Sequence, residues 1–338
     1  MKRQSNECLI DFLRFSMPDY DLPKVSQLLG ISVYDFSSEN LGSPFPNYHK
    51  KVCFANIEVH FSTTHSNALI NLSGQACRQY EEYMNKGEGW QWQKFLKTII
   101  ELNGKITRID LALDIFDDLS PSVKTIQDYI KRGQLSTKAH KFVEINSGRI
   151  SDGVLTGFTI YIGSAPQILR IYDKANERLV NADEIIIGKW IRWELELTDK
   201  KAQQVAVLIG EGKPLGYVIR GILAAHYSFK TQNKKIEIHN KSRLPNMKWW
   251  DNFICQADKI PLRIKREKLT LIKKKSWLEK STSKSLAMVY QTLENVHGIE
   301  LAKVYLNELV QEGKEKFTEA DKSMIEQRVI ELSSEDNY

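Results

Sequence analysis

The sequence predicts an α+β protein: a predominantly antiparallel sheet body with flanking helices, followed by a helical C-terminal region. Two observations carry that prediction. Apolar and polar residues alternate in short runs through the first two thirds of the 338 residues, as strands with one packed and one polar face require. After Thr198 the alternation gives way to apolar residues at helical spacing. Hydrophobic residues at 42% and charged residues at 27% suit a chain that folds around a core.

Taken in order, strands are expected over 51–61, 68–73, 105–116, 142–145, 158–163, 168–174 and 190–197. Helices are expected over 76–84, 90–102 and 123–132, the last opened by Ser120-Pro121, because proline is tolerated only in a first helical turn. Two more helices, 199–210 and 214–225, close the body. The stretch 231–246, rich in Lys, Asn and Gln, reads as an exposed loop or edge strand before the aromatic cluster Trp249, Trp250 and Phe253. From residue 262 onward the pattern is helical, with Ser281-Thr282-Ser283 and Phe317-Thr318-Glu319 as N-cap regions. Boundaries therefore fall near 228 and 280.

Several classes are excluded. The longest apolar runs, 205–209 and 222–225, fall far short of the roughly 18 to 20 residues that cross a bilayer. Met1 to Asn6 is followed by no long apolar stretch, so no secretory signal is expected and the protein is placed in the cytoplasm, away from membranes. The 4 cysteines have no Cys-x-x-Cys spacing and read as core residues. No Gly-x-x-x-x-Gly-Lys-Ser/Thr loop supports ATP-driven activity. The 7 histidines contain no His-x-His pair, so any metal must rely mainly on carboxylates. Charge is unevenly spread: Lys230 to Lys280 holds 15 basic and 5 acidic residues, whereas 300–338 holds 5 and 10. That polarity suits one face for a polyanion and a tail with another task.

Three segments carry chemistry. In Lys105 to Phe116, Arg108, Asp110, Ala112 and Asp114 share one strand face. In Ile191 to Leu197, Arg192, Glu194 and Glu196 do the same, and in Leu169 to Lys174 so do Arg170, Tyr172 and Lys174. With the three polar faces aligned, at about 4.8 Å between strands, four carboxylates, a phenol and several cations fall within roughly 10 to 15 Å. Hard oxygen ligands suit Mg²⁺ or Mn²⁺, cations offset charge on a phosphoryl group, and a phenol beside cations is a usable nucleophile. Tyr161, which lacks adjacent cations in sequence, is the rival phenol. Ordinary cross-strand ion pairing on a solvated face is the alternative account of the same pattern.

These residues resemble the replication initiation factor family often called Rep_trans. The likeness rests on Leu72-Ser73-Gly74-Gln75 with Cys77-Arg78-Gln79-Tyr80-Glu81, Thr107 to Asp114, Tyr161-Ile162-Gly163-Ser164, Arg170-Ile171-Tyr172-Asp173-Lys174 and Arg192 to Glu196. Leu9 to Ser16 is similar to that family's first strand. The resemblance implies rolling-circle replication initiation: site- and strand-specific nicking and rejoining of DNA through a covalent 5′-phosphotyrosine with a divalent metal. It implies Tyr172 as nucleophile with Arg170 and Lys174 beside it, Asp110 and Glu194 as leading metal ligands, and Asp114 and Glu196 as further ones. Residues 1–228 are then the nicking domain, 229–280 a basic DNA-binding segment and 281–338 a helical tail. DNA contacts are expected from Arg108, Arg192, Lys234, Lys235, Arg243, Lys248, Arg263, Lys265, Arg266, Lys273, Lys274 and Lys275. Both duplex and single-stranded DNA are expected partners, with a host helicase and a second copy of the chain. A conjugative relaxase with the same chemistry and a non-catalytic origin-binding protein or repressor are the alternatives. The apolar positions Leu301, Val304, Tyr305, Leu309, Ile325 and Val329 in the tail point to docking, within the chain or on a partner.

Overall fold

A computed structural model describes residues 5–39, 43–62, 67–84, 91–182, 188–231, 238–255, 258, 260, 262, 271, 275 and 278–335. The chain divides into two compact bodies, 1–264 and 265–338.

The first body is built on a sheet. In chain order its strands are β1 (Glu7–Pro18), β2 (Ser37–Glu39), β3 (Lys50–Phe54), β4 (Ile57–Phe61), β5 (Asn67–Leu72), β6 (Lys105–Ile115), β7 (Leu135–Thr137), β8 (Phe142–Gly148), β9 (Leu155–Ser164), β10 (Gln167–Asp173), β11 (Ile191–Thr198) and β12 (Tyr227–Phe229). Ten of them form one sheet in the order β2-β3-β4-β5-β1-β6-β11-β10-β9-β8, every pairing antiparallel, and β12 pairs with β7 in a small second sheet. The expected single strand over 51–61 is a hairpin: Phe54 pairs with Ile57, and Ala55 turns the chain at φ 47°. Alternation on either side of so short a turn keeps its phase, which is why the break is invisible to a period-2 reading.

Helices α1 (Leu22–Leu29), α2 (Gly74–Met84), α3 (Trp92–Glu101), α4 (Val123–Lys131), α5 (Lys174–Ala182), α6 (Asp199–Gly210), α7 (Leu215–His226) and α8 (Lys248–Ile254) flank the sheet. Helices α6 and α7 lie on β6, and α3 packs on α6. They cover the apolar face, where Leu13, Ile109, Leu111, Leu113, Ile171, Leu195 and Leu197 are fully buried. Trp193 centres one end of this layer, 4.7 Å from the Phe253 ring and 5.9 Å from Trp250, with its indole N–H donated to Ser120 Oγ at 3.0 Å. The aromatic cluster after residue 228 therefore belongs to the core of the sheet body. Sequence gave no hint of α1 or α5, which follow Pro-containing and strand-like stretches respectively.

In the second body, α9 (Ser283–His297) packs on α10 (Ile299–Glu315), and α11 (Glu319–Glu335) follows. The expected cap at Thr318 is present as a reciprocal pair: the Asp321 N–H reaches Thr318 Oγ1 at 3.3 Å, and the Thr318 N–H reaches Asp321 Oδ2 at 3.1 Å. Thr282 makes no side-chain cap; a single wide turn over Leu278–Thr282 leads into α9 instead. Leu301, Val304, Tyr305, Leu309 and Val329 are exposed, so the apolar side of these helices is uncovered in the single chain. No helix of the described residues is long and apolar enough to cross a membrane.

Removing the Phe253 ring empties a fully buried position against Trp193. Phe253→Ala is expected to lower stability by about 3 to 5 kcal/mol, read from urea unfolding followed by tryptophan fluorescence.

Candidate active site

Antiparallel pairing puts directly opposed residues on the same face. Between β6 and β11, Arg192 opposes Asp114, Glu194 opposes Ala112 and Glu196 opposes Asp110. Between β11 and β10, Arg170 opposes Glu194 and Tyr172 opposes Arg192. The three polar faces seen in the sequence are therefore one surface, facing away from the helices. Ala112, the smallest residue in the central strand's polar row, leaves room beside Glu194.

The contacts on this surface form a continuous network. Tyr172 donates its hydroxyl to Glu194 Oε2 at 2.8 Å. Arg170 Nη1 donates to Glu194 Oε1 at 2.6 Å and stands 3.6 Å from Asp110 Oδ2, while its Nη2 pairs with Glu196. Arg108 grips Asp110 with two bonds of 2.9 and 2.6 Å and reaches Glu196 at 3.1 Å. Arg192 holds both oxygens of Asp114 at 2.7 Å. Lys174 opens α5, pairs with Glu177 and places its ammonium 5.6 Å from the Tyr172 ring centroid.

Burial decides the protonation states. Asp110, Asp114, Glu194 and Arg192 are all buried at 4% exposure or less. Burial pushes the Glu194 carboxyl above its usual range, with Arg170 pulling the other way. Burial also raises Asp110 against the pull of Arg108. The Tyr172 phenol is raised well above 10 by burial and then by the Glu194 charge, with Arg192 opposing. Nearby cations were expected to favour the phenolate; in the folded chain they are spent on carboxylates, so the resting phenol keeps its proton and gives a hydrogen bond to Glu194. Burial alone would weaken the Arg192 charge, yet its bonds to Asp114 and the charge of Asp11 hold its pKa above the usual value.

Asp11 is the site residue that the sequence reading missed. It sits in β1 at a register break between Ile10 and Phe12, and its Oδ1 lies 3.0 Å from Arg192 Nη1. Strict alternation groups Asp11 with core-facing Leu13; the extra residue of a β-bulge turns it onto the polar face instead. A bulge of this kind has no reliable sequence signal.

The surface opens into a cavity of about 310 Å³ lined by Tyr161, Arg170, Tyr172, Glu177 and Glu194, with Ser147, Thr156, Gly157, Phe158, Thr159 and Asp173. Tyr161 shares it, and the Arg170 guanidinium carbon lies 5.8 Å from its ring centroid; the cation missing from its sequence neighbourhood comes from the next strand. Among the described residues no cluster of three or more His, Cys, Asp or Glu is already set as a metal cage. Instead Asp110, Glu194 and Glu196 converge on one guanidinium, that of Arg170, an all-oxygen set whose chemistry fits a hard divalent cation.

Of the expected DNA contacts, Arg108 is half-buried in the network and Arg192 is buried beneath it, so neither projects freely to solvent. Arg243, Lys248 and Lys275 are exposed. Lys234, Lys235, Arg263, Lys265, Arg266, Lys273 and Lys274 lie outside the described residues.

Comparisons with known proteins agree with this geometry. The family model described as replication initiation factor matches residues 104–310, and that described as rolling circle replication initiation protein N-terminal domain matches 7–98. A curated relative, the putative DNA relaxase NicK of Bacillus subtilis (strain 168), is 27% identical over 314 residues, covering 90% of this chain and 86% of the relative. A solved rolling circle replication initiator protein from Geobacillus stearothermophilus superposes with a TM-score of 0.65 at 24% identity, covering 77% of this chain and 100% of that one.

Arg192 neutralises two buried or half-buried acids at once. Arg192→Met is expected to cost about 3 to 5 kcal/mol, the penalty for stranding a buried charge, measured as a fall in the urea midpoint.

Proposed function

The chain belongs to the replication initiation factor family, and from that premise we propose that it nicks and rejoins one strand of DNA with Tyr172 as nucleophile. The observation that carries this reading is the Tyr172 hydroxyl donated to Glu194 at the lip of an open cavity beside Arg170. A rolling-circle initiator needs such a phenol, with a base to take its proton and cations to meet a phosphodiester.

The chain's own residues divide the work. A phosphodiester entering the cavity meets Arg170, which offsets the charge that builds on its oxygens. Glu194 Oε2 takes the phenolic proton as the Tyr172 oxygen bonds to phosphorus. Its raised pKa brings it nearer the working pH of a general base. The bond from phosphorus to the 3′ oxygen breaks, that oxygen takes a proton from solvent, and a 3′-hydroxyl is left beside a 5′-phosphotyrosine. Rejoining is the reverse attack, with Glu194 returning its proton to the phenol. Lys174, above the Tyr172 ring, steers the phosphate and keeps α5 against the site through Glu177. Asp114 and Asp11 act through Arg192, which they fix under the phenol.

Mg²⁺ or Mn²⁺ would be held by Asp110, Glu194 Oε1 and Glu196, the oxygens that now face Arg170, with Asp114 as a further ligand only if it leaves Arg192. Bound there, the ion would polarise the scissile phosphate. Exposed Arg243, Lys248 and Lys275, with the basic residues on either side, are assigned to the duplex backbone. The uncovered apolar side of the tail is assigned to a second copy of the chain or to a host helicase, and the setting to the cytoplasm. The name of the Bacillus subtilis relative, a putative DNA relaxase, favours conjugative transfer as the second reading of the same chemistry.

Tyr172→Phe is expected to abolish the covalent protein-DNA adduct, scored on a denaturing gel, while DNA affinity changes little; Tyr161→Phe keeps the adduct. An adduct that survives in Tyr172→Phe moves the nucleophile elsewhere. Glu194→Gln should slow single-turnover nicking by roughly 10² to 10⁴, the usual span for a lost general base. Chelating divalent ions should stop nicking, and added Mg²⁺ or Mn²⁺ should restore it.

A further inference from the structure

A second polar concavity lies at the far end of the hairpin that carries Tyr172. Two cavities, of about 280 and about 400 Å³, share Thr137, Lys138, His226 and Tyr227 in their walls and so form one groove. Its ionisable lining is Lys138, His140, Lys141, Lys201, His226 and Lys230, and no described Asp or Glu lines it. The Gln167 end of the groove is five positions before Tyr172 on β10, about 17 Å at a strand rise of about 3.3 Å.

We infer that this groove is a second DNA-backbone site, which holds phosphates of the duplex flanking the position cut at Tyr172. The inference rests on the nicking function proposed above and adds a contact surface remote from the phenol. Like charges are gathered here without a counter-charge. Lys138, Lys141 and Lys201 form no ion pair with a described carboxylate, and the Lys201 ammonium donates instead to the neutral Gln167 Oε1 at 2.8 Å. Burial, and then the charges of Lys201 and Lys138, press the His226 imidazole down to about 4, a sign that these cations crowd one space. Its Nε2 is buried with no hydrogen-bond partner among the described residues. Repulsion of this kind is relieved by an anion, and a line of cations along a groove matches a row of phosphates better than a single small ligand.

The lysines are held in place by the fold. Gly163 donates its N–H to the Lys141 carbonyl at 3.0 Å, which ties the segment after β7 to the end of β9. Only glycine serves there: φ is +99°, and a Cβ would meet the Gln167 carbonyl oxygen at 2.8 Å. Gln167 is itself fixed by its bond to the Tyr227 hydroxyl at 3.3 Å. At the other end of the groove, Ser242 and Asn246 belong to the stretch that bears exposed Arg243 and Lys248. A duplex laid in the groove thus continues onto the basic segment.

The test is the salt dependence of duplex binding by the full chain. Each phosphate contact contributes roughly one unit of slope in log affinity against log salt. K138E/K141E is expected to lower affinity at least tenfold at low salt and to flatten the slope by about two, whereas K138R/K141R keeps both. Unchanged affinity and slope in K138E/K141E, with the unmodified chain binding DNA normally, overturns the groove and leaves the nicking reading standing. Equal loss in K138R/K141R overturns it too, since charge would not be the cause. Thermal stabilisation by inorganic phosphate that K138E/K141E abolishes, with the DNA slope unmoved, reassigns the groove to a small phosphate ligand and rejects the DNA site. No DNA binding by the unmodified chain removes the parent reading and this one together.

Discussion

The hydrogen bond from Tyr172 to Glu194 depends on keeping an ionisable carboxyl dry and still beside a phenol. A buried carboxylate is costly unless paired. Here Arg170 holds one oxygen of Glu194 and leaves the other for the phenol. The remaining guanidinium groups repeat the arrangement one strand over: Arg108 on Asp110, and Arg192 on Asp114 and Asp11. Each cation on this surface thereby has a structural task before any phosphate arrives.

The sheet supplies the precision. Strands β10, β11 and β6 are neighbours in an antiparallel array, so one register fixes which side chain stands opposite which. A slip of one residue would send Tyr172, Glu194 and Asp110 into the apolar layer. Fully buried Ile171, Trp193, Leu195, Leu111 and Leu113 on the reverse side make such a slip prohibitively expensive. Core packing and site geometry are two faces of the same constraint, which is why the aromatic cluster around Trp193 matters to chemistry on the other side of the sheet.

Much of this was legible beforehand, and the reason is the strict period of two. Alternation in 105–116, 168–174 and 190–197 predicted the strands and the polar face of each, because a half-buried strand can hide its apolar residues in only one phase. What stayed hidden were interruptions of that period. The turn at Ala55 preserves phase and merges two strands into one apparent run, while the bulge at Asp11 breaks phase and conceals a site residue. Electrostatics was the other blind spot. Sequence supplies the charges but not their pairing, so Arg192 looked like a DNA contact when it is a buried strut, and the phenol looked activated when its cations are already engaged. The arginine over Tyr161 and the cationic groove around His226 likewise depend on strand and helix neighbours far apart in sequence.

The most direct measurement follows the Tyr172 phenol itself. With tyrosine labelled by ¹³C at the ring carbon bearing oxygen, the Tyr172 resonance, assigned by its loss in a Tyr172 variant, reports ionisation of that one group. The account predicts that it remains in the phenol form through about pH 10, the value for free tyrosine, and that its shift changes when Glu194 is replaced by Gln. A resonance that titrates near about pH 10 and ignores residue 194 would contradict a proton shared between the two side chains.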